Sequence, residues 1–166
     1  QHFYRHPGVN PVALIRGAFR TYVAGQPPQG GSTITMQLAR LIYRLNTRSV
    51  RGKLVQIARA LQLEVSYGKR DLLEAYLNLV PFGSNIEGVG AASLIYFGKP
   101  PSALALPESL TIAIVPQSPA RRVLGGTDAT AQFAARERLV ERWRTQHALS
   151  SEHAALLKLP LHLRKP

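Results

Sequence analysis

The sequence contains no cysteine among its 166 residues. That absence excludes a disulfide scaffold, a thiolate zinc site and a cysteine nucleophile. Long apolar runs are also absent, since no stretch approaches the ~18 residues that a membrane-spanning helix needs. Aromatic residues are scarce, at 7% of the chain, and they do not alternate with basic residues as a nucleic-acid stacking platform requires.

Carboxylates are missing from the first 63 residues, although the same stretch contains nine basic side chains. All nine acidic residues lie from Glu64 onward, and the net charge of the chain is +12. A lysozyme-type hydrolase is therefore disfavoured, because its chemistry needs two carboxylates that flank the scissile bond. The excess of cations predicts an anionic partner, and charge alone leaves nucleic acid, a membrane surface and a phosphorylated substrate open.

Apolar residues recur at helical spacing and are punctuated by Gly and Pro, which predicts a mainly α fold without strands of useful length. The predicted helices cover residues 10–24, 32–45, 52–66, 70–80, 88–97, 108–115, 128–147 and 151–157. We expect a single domain over residues 1–147, followed by a C-terminal helix and exit linker over 148–166. The interleaved charges of 128–147 predict a solvated helix face.

The segment from Gly30 to Arg40 carries the most informative pattern. Two glycines free the backbone to approach a ligand, and a helix that begins at Ser32 presents N–H groups that favour an anion. Along that helix Thr33, Gln37, Arg40 and Arg44 follow at offsets that place them on one polar stripe. Hydroxyl, amide and guanidinium groups in line suit sugar hydroxyls and phosphate. A Gly-Gly turn, an ordinary Ser cap and a solvated face explain the same residues, and the pattern alone leaves both interpretations open.

Five segments in order resemble the signature motifs of the family 51 glycosyltransferases, the domains that polymerise lipid-linked disaccharide in class A penicillin-binding proteins. They begin at Phe3, Gly30, Lys53, Tyr76 and Leu106. Phe3–Gly8 is similar to the end of the first motif, Glu-Asp-x-x-Phe-x-x-His-x-Gly. Lys53–Glu64 is similar to the third, Arg-Lys-x-x-Glu-x-x-x-Ala-x-x-Leu-Glu. The substitutions within these motifs resemble the penicillin-binding protein 1C branch.

The resemblance implies a lysozyme-like helical domain that transfers a growing glycan from its polyprenyl diphosphate to the 4-hydroxyl of lipid II, with inversion. It also implies a position at the periplasmic face of the bacterial inner membrane, attachment to the membrane surface through an anchor, and a transpeptidase domain after Pro166. Nucleic acid is not an expected partner. The alternative function is a non-catalytic module that binds lipid II or a glycan chain.

The motifs also imply which residues form the site. The general base is the Glu of the first motif, which we expect just before Gln1. Arg40 and Lys53 are assigned to the leaving diphosphate, and Gln56 is assigned to a hydrogen bond near the acceptor. The residues expected to bind or position the substrate are Phe3, His6, Gly31, Ser32, Thr33, Gln37, Arg44 and Arg51.

Several positions depart from the motifs. Gly52 stands where the third motif has Arg, so Arg48 or Arg51 is expected to supply the missing cation. Gln56 stands where that motif has Glu; an amide binds metal poorly, which weakens the case for a divalent cation such as Mg2+ or Mn2+. Arg40 replaces a Lys, which keeps the charge but changes its geometry.

Other residues have structural interpretations. We predict a packing or capping role for His6, an ion pair at a helix end for Glu64, and a helix-start role for Glu108. Tyr96–Gly98 is predicted to provide core and a helix stop. The mixed apolar and basic residues between 16 and 29 suit a membrane interface or buried packing, and the sequence leaves both open; they include Phe19, Tyr22 and Val23 beside Arg16 and Arg20.

Overall fold

The computed structural model describes residues 3–18, 31–83, 85–117, 129–145 and 157. Within these residues the chain forms seven α-helices, two short 3₁₀ helices and an isolated bridge between Pro81 and Glu87. The helices are α1 Pro11–Ala18, α2 Ile34–Ile42, α3 Val50–Ser66, α4 Lys69–Leu79, α5 Val89–Phe97, α6 Leu106–Ala113 and α7 Ala129–Arg144. The predicted mainly α class is confirmed. The proposed boundary at residue 147 stays a prediction.

Helix boundaries differ from the predicted ones in two informative places. The end of α2 comes at Ile42 because Arg44 has a positive φ of 49°. The Leu45 N–H then bonds to the Arg40 carbonyl at 3.1 Å, and the Arg44 N–H bonds to the Leu41 carbonyl at 3.4 Å. This is the Schellman arrangement that closes many helices. The prediction that α2 continues to 45 is therefore wrong.

Predictions for several segments lie outside the described residues. They concern the second part of the first predicted helix, the GQPPQG loop, and most of the predicted helix at 151–157. None of the described helices is long and apolar enough to cross a membrane.

The chain divides into two compact units, residues 1–79 and residues 80–166. In the first unit α2 packs against both α3 and α4. Its buried residues Met36, Leu38 and Ala39 are completely covered, as expected for a helix with apolar residues on two neighbouring rows. Leu63 from α3 and Leu72 from α4 add to this core. The polar ends of α2 are thereby fixed relative to α3 and α4.

The second unit is organised by α5, α6 and α7. Tyr96 is fully buried, and its hydroxyl donates to the Phe82 carbonyl at 3.1 Å. Gly98 ends α5 with a φ of 71°, so the predicted core and helix-stop roles are confirmed. Glu108 accepts the Ala105 N–H at 2.7 Å and forms an ion pair with Lys99 at 2.7 Å. Its predicted helix-start role is confirmed.

The predicted solvated face of α7 is confirmed for four of its charged residues, which are exposed: Glu137, Arg138, Glu141 and Arg142. Arg136 is an exception. Its side chain is half-buried, and its guanidinium donates to the Leu157 carbonyl at 3.2 Å. The charge pattern alone could not separate this residue from its neighbours.

Candidate functional site

The start of α2 is capped by Thr33. Its hydroxyl accepts the Met36 N–H at 3.1 Å and donates to the Gly8 carbonyl at 2.5 Å. The prediction that Ser32 provides the cap is therefore wrong by one residue. This shift matters, because the Thr33 hydroxyl is engaged within the protein. The Ser32 hydroxyl, by contrast, contacts a lysine.

The ammonium of Lys53 lies at the start of α2. The residue itself belongs to the first turns of α3, and its ammonium donates to the Ser32 hydroxyl at 2.8 Å and to Oε1 of Gln56 at 2.8 Å. Three residues predicted for the site are thus brought together, two of them from one helix and the third from 21 positions earlier. Neither of these acceptors carries a charge.

Gln56 is buried, with only 2% of its surface exposed. Its Nε2 donates to the Met36 carbonyl at 2.6 Å while its Oε1 accepts from Lys53. Both ends of the amide are therefore engaged inside the protein. Gln56 was assigned a hydrogen bond near the acceptor. In this geometry the buried amide supports Lys53 from within, and a hydrogen bond near the acceptor stays a prediction.

Burial and the charge of Arg40 together set the electrostatics of this site. Burial lowers the pKa of Lys53, and the nearby positive charge of Arg40 lowers it further. Burial raises the pKa of the Tyr76 hydroxyl, and Arg40 opposes that shift. Arg40 is exposed in the last turn of α2, and its charge is the smaller of the two influences on the pKa of both Lys53 and Tyr76. A site with two neighbouring cations favours a multiply charged anion.

Tyr76 contacts the predicted site residue Gln37, and sequence reasoning did not select it. It is buried in α4, and its hydroxyl lies 3.3 Å from Oε1 of Gln37, a half-buried residue of α2. The phenol donates to the amide oxygen, which leaves the Gln37 amino group free to donate elsewhere. The only signal in the sequence was that Tyr76 opens the fourth motif.

Arg44 and Arg51 do not join this group through any contact that the described residues show. Arg44 lies beyond the end of α2, so its predicted place on the helical stripe is wrong. Arg51 is exposed in the first turn of α3. A role for either residue in substrate binding stays a prediction.

Two glycines of the predicted motifs make close backbone contacts. A methyl group on Gly31 would lie 2.8 Å from the Ala13 carbonyl, so this glycine packs against α1. A methyl group on Gly52 would lie 1.9 Å from the Asn46 carbonyl. The position occupied by Arg in the third motif thus has no room for a side chain here.

The segment Phe3–Gly8 is held by Lys69. The Lys69 ammonium donates to the His6 carbonyl at 2.6 Å, pairs with Glu64 at 2.6 Å and lies 5.0 Å from the centre of the Phe3 ring. Glu64 also accepts from the Thr35 hydroxyl at 2.5 Å. The predicted ion pair of Glu64 is confirmed, and the contacts fix the first motif against α2, α3 and α4.

His6 has a structural contact within the segment before α1, because its Nδ1 accepts the Gly8 N–H at 2.9 Å. The Phe3 and His6 rings meet edge to face, 5.8 Å apart. Among the residues that the structure describes, no three His, Asp or Glu side chains are grouped as a metal site would need. The amine, hydroxyl and amide around Lys53 are poor ligands for Mg2+ or Mn2+. The use of a divalent cation stays a prediction.

A protein-family model described as Transglycosylase matches residues 1–144. The chain is 42% identical over 150 residues to penicillin-binding protein 1C of Escherichia coli strain K12, which covers 90% of this chain and 19% of that protein. It is 39% identical over 121 residues to penicillin-binding protein 1A of Aquifex aeolicus strain VF5, covering 73% of this chain and 17% of that protein. It is also 39% identical over 119 residues to penicillin-binding protein 4 of Bacillus subtilis strain 168, covering 72% and 19%. The chain therefore spans about a fifth of the length of these relatives.

Proposed function

This chain belongs to the transglycosylase family, and from that membership we propose that it is a peptidoglycan glycosyltransferase that polymerises lipid II with inversion. The observation that carries the proposal is the pairing of Lys53 with Ser32 at the start of α2, beside Arg40. An ammonium at the N-terminus of α2, with the charge of Arg40 close enough to act on it, suits a diphosphate leaving group, whose departure depends on stabilisation of its developing charge.

The proposed reaction joins a growing glycan to the next lipid-linked disaccharide. The 4-hydroxyl oxygen of lipid II attacks the anomeric carbon of the growing chain, and the bond from that carbon to the diphosphate oxygen breaks. The hydroxyl proton passes to a general base, and the electron pair of the broken bond leaves with the polyprenyl diphosphate. Attack from the face opposite the leaving group inverts the anomeric configuration.

The described residues supply the leaving-group half of this chemistry. Lys53 and Arg40 would stabilise the diphosphate, and Ser32 and the Gln37 amide would orient its oxygens or those of the sugar. The general base is proposed to be the Glu of the first motif, which that motif puts two positions before Gln1. Support for that placement comes from the contact between Thr33 and the Gly8 carbonyl, because it ties the first motif to the start of α2.

The non-catalytic binding module is not favoured by the family membership. Location and partners are proposals taken from the relatives, which are bacterial penicillin-binding proteins. We propose an extracytoplasmic site of action at the periplasmic face of the inner membrane, with lipid II and the glycan chain as substrates. A transpeptidase domain in the same polypeptide and contact with the bilayer are part of this proposal. Phe19, Tyr22 and Val23, named for bilayer contact, lie outside the described residues.

Polymerisation of lipid II by the natural full-length polypeptide that contains this sequence tests the proposal. The change Lys53→Met should lower the rate about 100-fold or more, the usual cost of a lost charge-stabilising group. Arg59→Met is the matched control, because Arg59 is an exposed cation of the same helix that bonds to Gln62. It should leave the rate within about twofold, as is usual for an exposed surface charge. Polymerisation at the same rate by the Lys53→Met protein would contradict the proposed role of the cation.

A further inference from the structure

We infer that Gln56 is a positioning residue that holds Lys53 through a neutral acceptor, so that the charge of Lys53 stays available to the substrate's diphosphate. The inference rests on the proposed function, because it concerns the same site. Gln56 would not touch the substrate, since only 2% of its surface is exposed.

The orientation of the Gln56 amide follows from the chemistry of its neighbours. The Met36 carbonyl can only accept a hydrogen bond, so the group 2.6 Å away from it must be the amino end of the amide. The oxygen end is then left to face the Lys53 ammonium, which can only donate, at 2.8 Å. A carboxylate at position 56 could not meet both neighbours, because its second oxygen would face the Met36 carbonyl.

The charges around Lys53 are unbalanced within the described part of the first unit. From α2 the charged neighbour of Lys53 is Arg40, whose charge also acts on the Tyr76 hydroxyl of α4. Ser32 and Gln56 contribute neutral oxygens. Lys53 and Arg40 together carry two positive charges, which match the two negative charges of a diphosphate diester.

Because position 52 is Gly, the site suits a neutral residue at position 56. On a helix, residues four apart are neighbours, so a cation at 52 could neutralise a carboxylate at 56. Here a side chain at 52 is prevented by the Asn46 carbonyl, 1.9 Å from the position of its first carbon. A lone carboxylate at 56 would therefore remove about one of the two charges of the site.

The test compares Gln56→Glu with Gln62→Glu in the full-length polypeptide. Both changes add one negative charge to α3, but Gln62 is exposed and bonds only to Arg59 among the contacts described for it. Inorganic pyrophosphate is the probe, and its dissociation constant is measured by calorimetry near pH 7. Gln56→Glu should weaken binding about tenfold or more, whereas the exposed charge should change it less than about twofold.

A pH series separates a charge effect from a folding defect. With a carboxylate beside Lys53, the decline of pyrophosphate binding at alkaline pH should move to higher pH than in the unchanged protein. Gln56→Met, neutral and of similar size, should keep pyrophosphate affinity within about threefold yet slow polymerisation. If the Glu variant does not fold, this second variant decides: an unchanged rate of polymerisation by Gln56→Met would overturn the inference.

The two proposals fail separately. An unchanged protein that binds pyrophosphate but does not polymerise lipid II would sink the proposed function and leave the role of Gln56 standing. Equal pyrophosphate affinity in the unchanged, Gln56→Glu and Gln62→Glu proteins would overturn the role of Gln56, whatever their rates of polymerisation.

Discussion

The backbone of Gly8 lies directly against the side chain of Glu64, so that a methyl group on Gly8 would be 2.3 Å from Cγ of that residue. Gly8 also has a φ of 81°, a conformation that residues with a side chain rarely adopt. Its carbonyl accepts from Thr33, and its N–H donates to His6. The first motif is thus fixed to α3 by close packing and to α2 by hydrogen bonding.

The change Gly8→Ala should lower the free energy of unfolding by about 1–3 kcal/mol, because both the conformation and the contact oppose a methyl group. Urea denaturation followed by circular dichroism measures the change. Gly90→Ala is the control, since a methyl group there would meet nothing within 4 Å. That helical glycine should gain about 0.5–1 kcal/mol on substitution. A Gly8→Ala protein as stable as the original would show that the first motif is not packed against Glu64.

Gly52→Ala should also destabilise the protein, by about 1–3 kcal/mol, although alanine normally favours a helix over glycine. The reason is the Asn46 carbonyl, which a methyl group would approach to 1.9 Å. Gly52 also donates from its N–H to the Ser49 cap at 3.1 Å. Thermal unfolding beside the Gly90→Ala protein checks the prediction. If Gly52→Ala gains stability as Gly90→Ala does, the Asn46 carbonyl must move at little energetic cost to make room for the methyl group.

The sequence identified residues of the site better than it identified their contacts. Lys53, Gln56 and Ser32 could be chosen from the motifs, and the structure brings them together. Their mutual arrangement depends on how α2 packs against α3, and periodicity alone does not determine which turns of two helices meet. For the same reason an ion pair of Glu64 could be expected from the sequence, but its partner could not. That partner is Lys69, which lies beyond the end of α3 at the start of α4.

The end of α2 shows a different limit. The apolar spacing continues through Leu45, so the periodic pattern carries no sign that the helix stops at Ile42. The closing residue has a positive φ and is Arg44, where a glycine would have marked the stop. The burial of Gln56 was equally hidden, because a polar side chain is placed in a core by its partners and not by its type.

The stability of the protein should depend on pH through Lys53. Its pKa in the folded state lies below the ordinary value of 10.5, because it is buried and near Arg40. Between the lowered pKa and 10.5 the unfolded chain binds more protons than the folded one, so stability should rise with pH there. Lys53→Met lacks this contribution. As the pH rises, the original protein should therefore gain stability relative to Lys53→Met, by about 1 kcal/mol or less.

Urea denaturation of both proteins from about pH 7 to about pH 10 measures that difference, because the window must end near the ordinary pKa of lysine. Arg40→Gln provides an internal check. It removes the smaller cause of the lowered pKa and should reduce the dependence on pH without abolishing it. A difference between the original and Lys53→Met proteins that is constant across this range would show that Lys53 titrates alike in both states.

Tyr76→Phe tests the contact between the phenol and Gln37. The hydroxyl donates to the Gln37 oxygen at 3.3 Å, a long bond that should contribute modestly to stability. Without this hydroxyl the Gln37 amide could rotate, and its amino group would no longer be held in a fixed orientation. Under the proposed function we expect kcat/KM for lipid II to fall about fivefold, which corresponds to about 1 kcal/mol of transition-state stabilisation.

Tyr67→Phe is the control for this prediction, because Tyr67 is exposed at the end of α3 and the same atom is removed. It should leave kcat/KM within about twofold, as most surface substitutions do. The double change Tyr76→Phe with Gln37→Ala should cost no more than Gln37→Ala alone, since the phenol is expected to act only through that amide. Additive losses in the double variant would instead mean that Tyr76 contributes to the site by a route that does not involve Gln37.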